Sequence, residues 1–320
     1  MRGAGEIKRP FGTIDLVRHI FILFVIFQHM TSTSRYAPEM NEFIGDVSVY
    51  IDGAVAGFFM VSGYFANAFD ENGIARLGTF ARRAFVRLIV PFLLFSLLYG
   101  AILLLLGKTT PGAILLGFAL FQGVGPQMYF LPYLFLVQTG SYIVLNLVPT
   151  DYRKPLIAAA FAAFLGLSLI TPVVISTGPS PYLLLFYEAA FLFGLLLSMS
   201  ERQWPRAWPC LIALAINLVA LASVDAAGRL FDFALAAALF CAALALARGP
   251  WLKRRLPGSG GIYLLHTPVL NYAISTVLLA LGVGGFANLF GALALTYASA
   301  LAATLLAIRL WPRSRVLLLE

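Results

Sequence analysis

Long apolar runs follow one another along almost the whole chain. They fall at 13–33, 48–70, 82–106, 128–148, 155–173, 181–199, 208–224, 230–247, 260–282 and 287–310. A helix needs about 20 mostly apolar residues to cross the hydrocarbon core of a membrane. The pattern therefore predicts about ten transmembrane helices joined by short polar loops.

One further apolar stretch, PGAILLGFALFQ at 111–122, is too short to span a membrane. We expect it to form a short amphipathic or re-entrant segment. Basic residues support this interpretation, because Lys and Arg concentrate on the cytoplasmic side. Ten spans with both termini cytoplasmic place eighteen of the 22 Lys and Arg residues inside and three outside, whereas an eleventh span leaves eight inside and thirteen outside. The predicted fold is an all-α integral membrane protein.

Composition supports the same class. The chain of 320 residues is 61% hydrophobic and 11% charged, whereas a soluble domain is nearer half apolar and a quarter charged. The formal charge of +8 follows from basic cytoplasmic loops, so no nucleic-acid partner is expected. Cys210 and Cys241 lie in apolar runs and predict neither a disulfide framework nor a metal site. We expect one transmembrane domain over 1–320 without an appended soluble domain.

The first apolar run carries two polar groups that are costly inside a membrane. RHIFILFVIFQH places Arg18 and His29 eleven positions apart. On an α-helix this spacing is three turns plus ~20°, so both lie on one face, ~16.5 Å apart along the axis. Either Arg18 reaches the inner interface and His29 bonds a neighbouring helix, or this face lines a path through the membrane. In the second case Arg18 binds an anionic group and His29 performs proton chemistry deeper in.

The other two histidines are less clearly placed. His19 points away from the Arg18 face, and we expect it to be interfacial. His266, in IYLLHTP, follows the start of its run by about six residues. Counted from the inner surface, it falls in the cytoplasmic half, where direct contact with His29 is not expected. Structure, donor binding and chemistry all remain open roles for His266.

Three acids lie within the apolar runs near these groups. Asp52 and Glu188 have a depth comparable to that of His29, and either would orient it or raise its basicity. An unrelated ion pair or a polar outer vestibule explains both equally well. Asp15 lies three positions before Arg18, where a local ion pair is expected.

Two further segments carry candidate binding residues. FARRAFVRLIVPF brings Arg82, Arg83 and Arg87 to the inner end of the third run. They either anchor the helix or bind phosphate, for which the guanidinium fork is suited. FFMVSGYF contains Ser62 and Gly63, small residues that let helices approach closely and equally leave room for a thin ligand.

In this order, four segments resemble the membrane acyltransferase-3 family of bacterial O-acyltransferases. IDLVRHIFILFVIFQH holds its R-x10-H pattern, and GFFMVSGYF is similar to its FF-x-x-SG segment. RRAFVRLIVPFLL is similar to its basic segment ending in proline, and GIYLLHTPV to its YLLH segment. YFLPYL is similar to its WFL segment, with Tyr129 in place of Trp. The spacing from Arg83 to Arg87 is one residue longer than the family's R-x-x-R.

The resemblance implies an O-acyltransferase of the bacterial cytoplasmic (inner) membrane. It implies cytoplasmic acyl-CoA as donor, acetyl-CoA by default, and a hydroxyl of a carbohydrate or glycolipid at the outer face as acceptor. His29 would be a general base or carry the acyl group, with Glu188 or Asp52 as its catalytic partner. Acyl-CoA binding would fall to Arg18, Ser62, Gly63, Arg83, Arg87 and His266. No metal and no tightly bound cofactor are expected.

Many family members append an extracytoplasmic hydrolase-like domain, which this sequence does not contain. That difference implies direct transfer, or transfer through a separate periplasmic acyl-handling or polysaccharide-assembly partner. Two other function classes stay open. One is a sugar or polyol transporter or flippase, since intramembrane charges also mark transport paths. The other is a non-catalytic partner in a polysaccharide export complex.

Overall fold

The computed structural model describes residues 11–32, 38–66, 76–125, 127–171, 181–200, 227–246 and 255–319. Within these ranges the chain is helical and contains no strand. The helices are α1 Phe11–Gln28, α2 Pro38–Ile51, α3 Ala54–Ala66, α4 Leu77–Leu105, α5 Pro111–Ala119, α6 Phe130–Leu147, α7 Thr150–Ile170, α8 Pro181–Ser200, α9 Ala227–Leu246, α10 Ser259–Ala280, α11 Gly285–Leu310 and α12 Ser314–Leu317. A 3₁₀ turn, His29–Ser32, follows α1.

Six of the described helices are long and apolar enough to cross a membrane: α4, α6, α7, α8, α10 and α11. The all-α membrane class is thus confirmed, while the count of ten spans and the cytoplasmic termini stay predictions. The predicted run 208–224 lies outside the described residues. The short segment near 111–122 is a nine-residue helix that begins at a Thr110 cap, whose Oγ1 accepts a hydrogen bond of 3.2 Å from the Ala113 N–H.

The second predicted span, 48–70, is not one helix. Its first residues end α2 at Ile51, a turn follows at Asp52 and Gly53, and α3 begins at Ala54. A Cβ on Gly53 would lie 2.0 Å from the backbone oxygen of Asp232. Hydropathy alone did not reveal the turn, because apolar residues continue on both sides of it.

Helices α3 and α8 pack through a reciprocal pair of glycines. A Cβ on Gly63 would lie 1.8 Å from the Phe191 backbone oxygen, and one on Gly194 would lie 1.9 Å from the Met60 oxygen. Neither position has room for a side chain. Of the two roles considered for Gly63, the structure shows the close approach of helices.

Two of the membrane-length helices contain a π turn. In α4 it covers Phe85–Ile89, and in α10 it covers His266–Leu270. The second turn includes Thr267, whose φ of −138° and ψ of 158° interrupt the helix. Such turns occur frequently at functional sites, and these two contain Arg87 and His266.

Helix α10 begins inside the bundle rather than at its edge. Ser259, Gly260 and Gly261 are buried. A Cβ on Gly260 would lie 2.4 Å from the Leu318 backbone oxygen, so the segment after α12 covers the start of α10. The start of α10 is therefore packed against other segments of the chain rather than exposed.

Candidate functional site

A cavity of about 1510 Å³ opens between α1, α3, α4, α6, α10, α11 and α12. Six arginines line it: Arg18, Arg82, Arg83, Arg87, Arg255 and Arg315. Among the described residues on its wall, Asp15 is the only acid, and Ser62 also lines it. A concave surface with this excess of positive charge attracts anions, and arginine binds phosphate oxygens in pairs.

Arg18 is held in the cavity wall by its own helix. Its Nη1 lies 3.5 Å from Oδ1 of Asp15, as the i,i+3 spacing predicted. The other carboxylate oxygen of Asp15 accepts a hydrogen bond of 3.1 Å from the Leu256 N–H. Asp15 therefore connects the arginine of α1 to the segment that carries Arg255.

The His19 side chain is buried in the bundle and only 7% exposed, while its depth near a membrane interface stays a prediction. Its Nε2 donates a hydrogen bond of 3.2 Å to the Leu256 carbonyl, and its Nδ1 accepts one of 2.9 Å from the Tyr297 hydroxyl. We assign this tautomer because a carbonyl can only accept. With Asp15, His19 binds both backbone groups of Leu256 and so fixes the cavity rim next to Arg255.

The arginines of α4 all face the cavity. The π turn at Phe85–Ile89 follows Arg83 and contains Arg87. A π turn holds one residue more than an α turn. It thus accommodates the one-residue excess of the Arg83–Arg87 spacing over R-x-x-R, and both guanidinium groups reach the same cavity.

Three aromatic rings form one part of the cavity wall. The ring centres of Phe58, Phe130 and Tyr263 form a triangle with sides of 5.1 to 5.9 Å, and all three side chains line the cavity. The Tyr263 hydroxyl donates a hydrogen bond to the Gln127 carbonyl, which fixes its ring. The cavity wall therefore contains an aromatic triangle as well as the arginines.

The two remaining histidines meet directly behind Tyr263. The ring of His266 lies 6.0 Å from that of Tyr263 and 5.4 Å from that of His29. His266 is fully buried, and its Nδ1 lies 2.8 Å from the Tyr263 carbonyl oxygen and 3.2 Å from that of Ile262. Its Nε2 has no hydrogen-bond partner among the described residues.

This arrangement corrects the predicted separation of the two histidines. The prediction counted six residues from a membrane surface, whereas Asp15 and His19 hold Leu256 beside α1, so that α10 starts next to the middle of α1. His29 itself follows the end of α1 at Gln28, so a 3₁₀ turn rather than an α-helical face sets its position. Asn271 donates a hydrogen bond of 3.3 Å to the His29 carbonyl and connects the two segments.

The two candidate acids have different partners. Gln28, adjacent to His29, donates from Nε2 to Oδ1 of Asp52 at 3.1 Å and to the Ile51 carbonyl at 3.0 Å. Ser141 on α6 donates a hydrogen bond of 3.4 Å to Oε1 of Glu188. Asp52 is thus connected through Gln28 to the segment of His29, and an orienting role for either acid stays a prediction.

The sequence reasoning missed several polar residues that build this site. Gln127 donates from Nε2 to the Thr267 carbonyl at the interruption of α10, and it is buried. Gln28 and Asn271 hold the backbone around His29. All three are amides beside or within apolar runs, and a polar side chain in such a place was the feature of the sequence that could have indicated them. Arg255 and Arg315 gave no such signal, because basic residues near helix ends are common.

The chain is similar to one known protein family over nearly its whole length. A family model described as an acyltransferase domain matches residues 11–308. Neither a curated protein nor a solved structure matches the chain. The matched range contains both histidines and five of the six arginines of the cavity. The resemblance is therefore confirmed: the chain belongs to the acyltransferase-3 family and is a multi-pass membrane acyltransferase.

Proposed function

We propose that the protein transfers an acyl group, in the first instance acetyl, from cytoplasmic acyl-CoA to a hydroxyl of a carbohydrate or glycolipid at the outer face of the bacterial cytoplasmic membrane. The observation that carries this proposal is the order of the site. Arginines line the cavity, Tyr263 lies in its wall, and the histidine pair lies directly behind Tyr263. Coenzyme A matches this order, since its phosphates and its thioester lie at opposite ends of a long thin arm.

The donor's phosphates bind to the arginines. Arg18, Arg83 and Arg87 are the residues that the family motifs indicate, and Arg255 and Arg315 add to the basic surface of the same cavity. Ser62 lies on the same wall and contacts the pantetheine arm. His266 belongs to the thioester end, beyond the aromatic rings. Gly63 contributes by allowing α3 and α8 to approach.

The transfer takes place at His29. As general base, it removes the proton of the acceptor hydroxyl while the oxygen attacks the thioester carbonyl. The carbon–sulfur bond breaks, and the thiolate of CoA takes up a proton. In the alternative, His29 first carries the acyl group itself. Asp52 acts on this residue through Gln28, whose amide it binds.

The test uses the purified full chain in proteoliposomes with ¹⁴C-acetyl-CoA, and the glycan and glycolipid fraction of the producing cells as acceptor. We expect saturable donor binding and labelled esters from the wild type. His29→Ala should bind donor and lose ~10²- to 10⁴-fold in transfer. A transporter or a silent export partner would bind no acetyl-CoA and form no labelled ester. If the wild type binds no acetyl-CoA and His29→Ala leaves glycan acylation in cells unchanged, the proposed function is wrong.

A further inference from the structure

The histidine behind Tyr263 has a structure suited to proton transfer. We propose that His266 is the proton partner of His29: its Nε2 receives the proton taken from the acceptor hydroxyl and returns it to the departing sulfur. This role rests on the proposed function. It differs from the donor-binding role that the motif suggests for His266.

The tautomer of His266 follows from its neighbours. Carbonyl oxygens only accept hydrogen bonds, and the carbonyls of Tyr263 and Ile262 face Nδ1 at 2.8 and 3.2 Å. Neutral His266 therefore carries its proton on Nδ1. Its Nε2 has a free lone pair, is fully buried, and has no partner among the described residues. A buried acceptor without a partner destabilises a fold, so a residue with only a structural role gains nothing from this nitrogen.

The distance between the two rings permits direct proton exchange. Two imidazoles joined by an N–H···N bond of ~2.9 Å have ring centres about 5 Å apart. The rings of His29 and His266 are 5.4 Å apart and inclined by 35°. A small rotation of His29 is therefore enough to bring one of its nitrogens into hydrogen-bonding distance of Nε2.

His266 lies on the side of the pair that faces the donor cavity, so a proton held on its Nε2 is close to the leaving group. Tyr263, one turn earlier in α10, lines the arginine cavity, and its ring is 6.0 Å from His266. The acceptor, by contrast, reaches the pair through His29, which is half-buried. The proton accordingly moves from the acceptor toward the leaving group.

The step balances within the pair and the two substrates. The acceptor O–H gives its proton to one nitrogen of His29 as the new carbon–oxygen bond forms. The other nitrogen of His29 passes a proton to Nε2 of His266, and the carbon–sulfur bond breaks with its electron pair on sulfur. Nε2 of His266 then gives this proton to the thiolate. The products are the ester and free CoA thiol, and both histidines are neutral again.

The decisive variant is His266→Asn. Its amide N–H takes the place of Nδ1–H and preserves the bond to the Tyr263 carbonyl, but nothing replaces Nε2. With ¹⁴C-acetyl-CoA and the producing cells' glycan fraction, we expect kcat to fall ~10²-fold or more, with acetyl-CoA affinity within about threefold of wild type. Asn288→Ala, which removes buried hydrogen bonds to Ser275 on the same helix, is the control and should leave kcat unchanged.

The double variant His29→Asn/His266→Asn tests the coupling. Because one proton path needs both residues, the double variant should lose no more activity than His29→Asn alone. If His266→Asn does not fold, His266→Gln removes the base in the same way and replaces it in both measurements. The proposal is overturned if the His266 variant transfers at the wild-type rate, loses donor affinity in parallel with kcat, or gives losses that multiply in the double variant. Failure of the proposed function looks different, because the wild type itself then transfers nothing.

Discussion

The ring of His266 lies 5.4 Å from that of His29, although the two residues come from opposite ends of the chain. Contact between α1 and α10 creates this pair, and Asn271 fixes it through the His29 carbonyl. Tyr263, next to the pair, also lines the cavity of six arginines. The basic cavity and the histidine pair thus adjoin at α10.

Donor affinity should depend on the arginines of α4. A hydrogen bond to a charged group contributes about 1.5–3 kcal/mol, so we expect Arg83→Ala or Arg87→Ala to weaken acetyl-CoA binding ~10-fold or more. Arg309→Ala is the matched control, because Arg309 is exposed and lies outside the cavity. Titration calorimetry of the purified protein in detergent measures each affinity. Equal affinities for all three variants would place the donor elsewhere.

Added salt should weaken acetyl-CoA binding, since ions screen attraction between charges that are open to solvent.

Removal of the Asp15 carboxylate from the cavity wall should strengthen acetyl-CoA binding. Asp15→Asn preserves an oxygen for the Leu256 N–H but removes the charge beside Arg18. We expect acetyl-CoA to bind a few-fold more tightly to this variant. Asp15→Ala also loses the Leu256 bond and should not show the gain.

The reciprocal glycines should be necessary for stability. Gly63→Ala and Gly194→Ala each place a Cβ within 2 Å of a backbone oxygen, so α3 and α8 must separate. We expect both variants to unfold at clearly lower temperature in detergent. Gly140→Ala and Gly166→Ala are the controls, because no atom lies within 4 Å of the added Cβ. They should be neutral or slightly stabilising, since alanine is the better helix former.

The aromatic triangle of Phe58, Phe130 and Tyr263 should limit the length of the acyl group. Phe58 packs edge-on against Phe130 and Tyr263, and its removal opens space there. We expect Phe58→Ala to increase transfer from butyryl-CoA and hexanoyl-CoA relative to acetyl-CoA. Competition between pairs of labelled donors measures this ratio. An unchanged ratio would mean that the acyl group lies outside this triangle.

Gln28 should matter for turnover and not for donor binding. Gln28→Leu removes the hydrogen bonds to Asp52 and to the Ile51 carbonyl, and with them the connection of Asp52 to the His29 segment. We expect kcat to fall ~10-fold, the effect of about 1.4 kcal/mol in the transition state. Acetyl-CoA affinity should stay unchanged. Ser141→Ala, which removes the hydrogen bond to Glu188, provides the comparison for the other candidate acid.

Several features could be predicted from the amino-acid sequence because they depend only on residues that are near one another in the chain. Apolar runs of membrane length require internal backbone hydrogen bonds, so the all-helical class followed directly. The ion pair of Asp15 and Arg18 needs only one turn of helix. The short helix at Pro111–Ala119 followed from a run too brief to span a membrane. The order of the motifs along the chain indicated the family.

Only the tertiary structure decided which side chains meet. His266 was expected in the cytoplasmic half, because its depth was counted from the edge of an apolar run. Asp15 and His19 hold Leu256 beside the middle of α1, so that α10 runs along the second half of that helix and His266 reaches His29. Arg255 and Arg315 line the cavity because distant segments of the chain meet there. Contact with a distant residue, Leu256, likewise determines the buried position of His19. Hydropathy reports how long a helix can be, whereas packing determines where it begins and which groups it brings together.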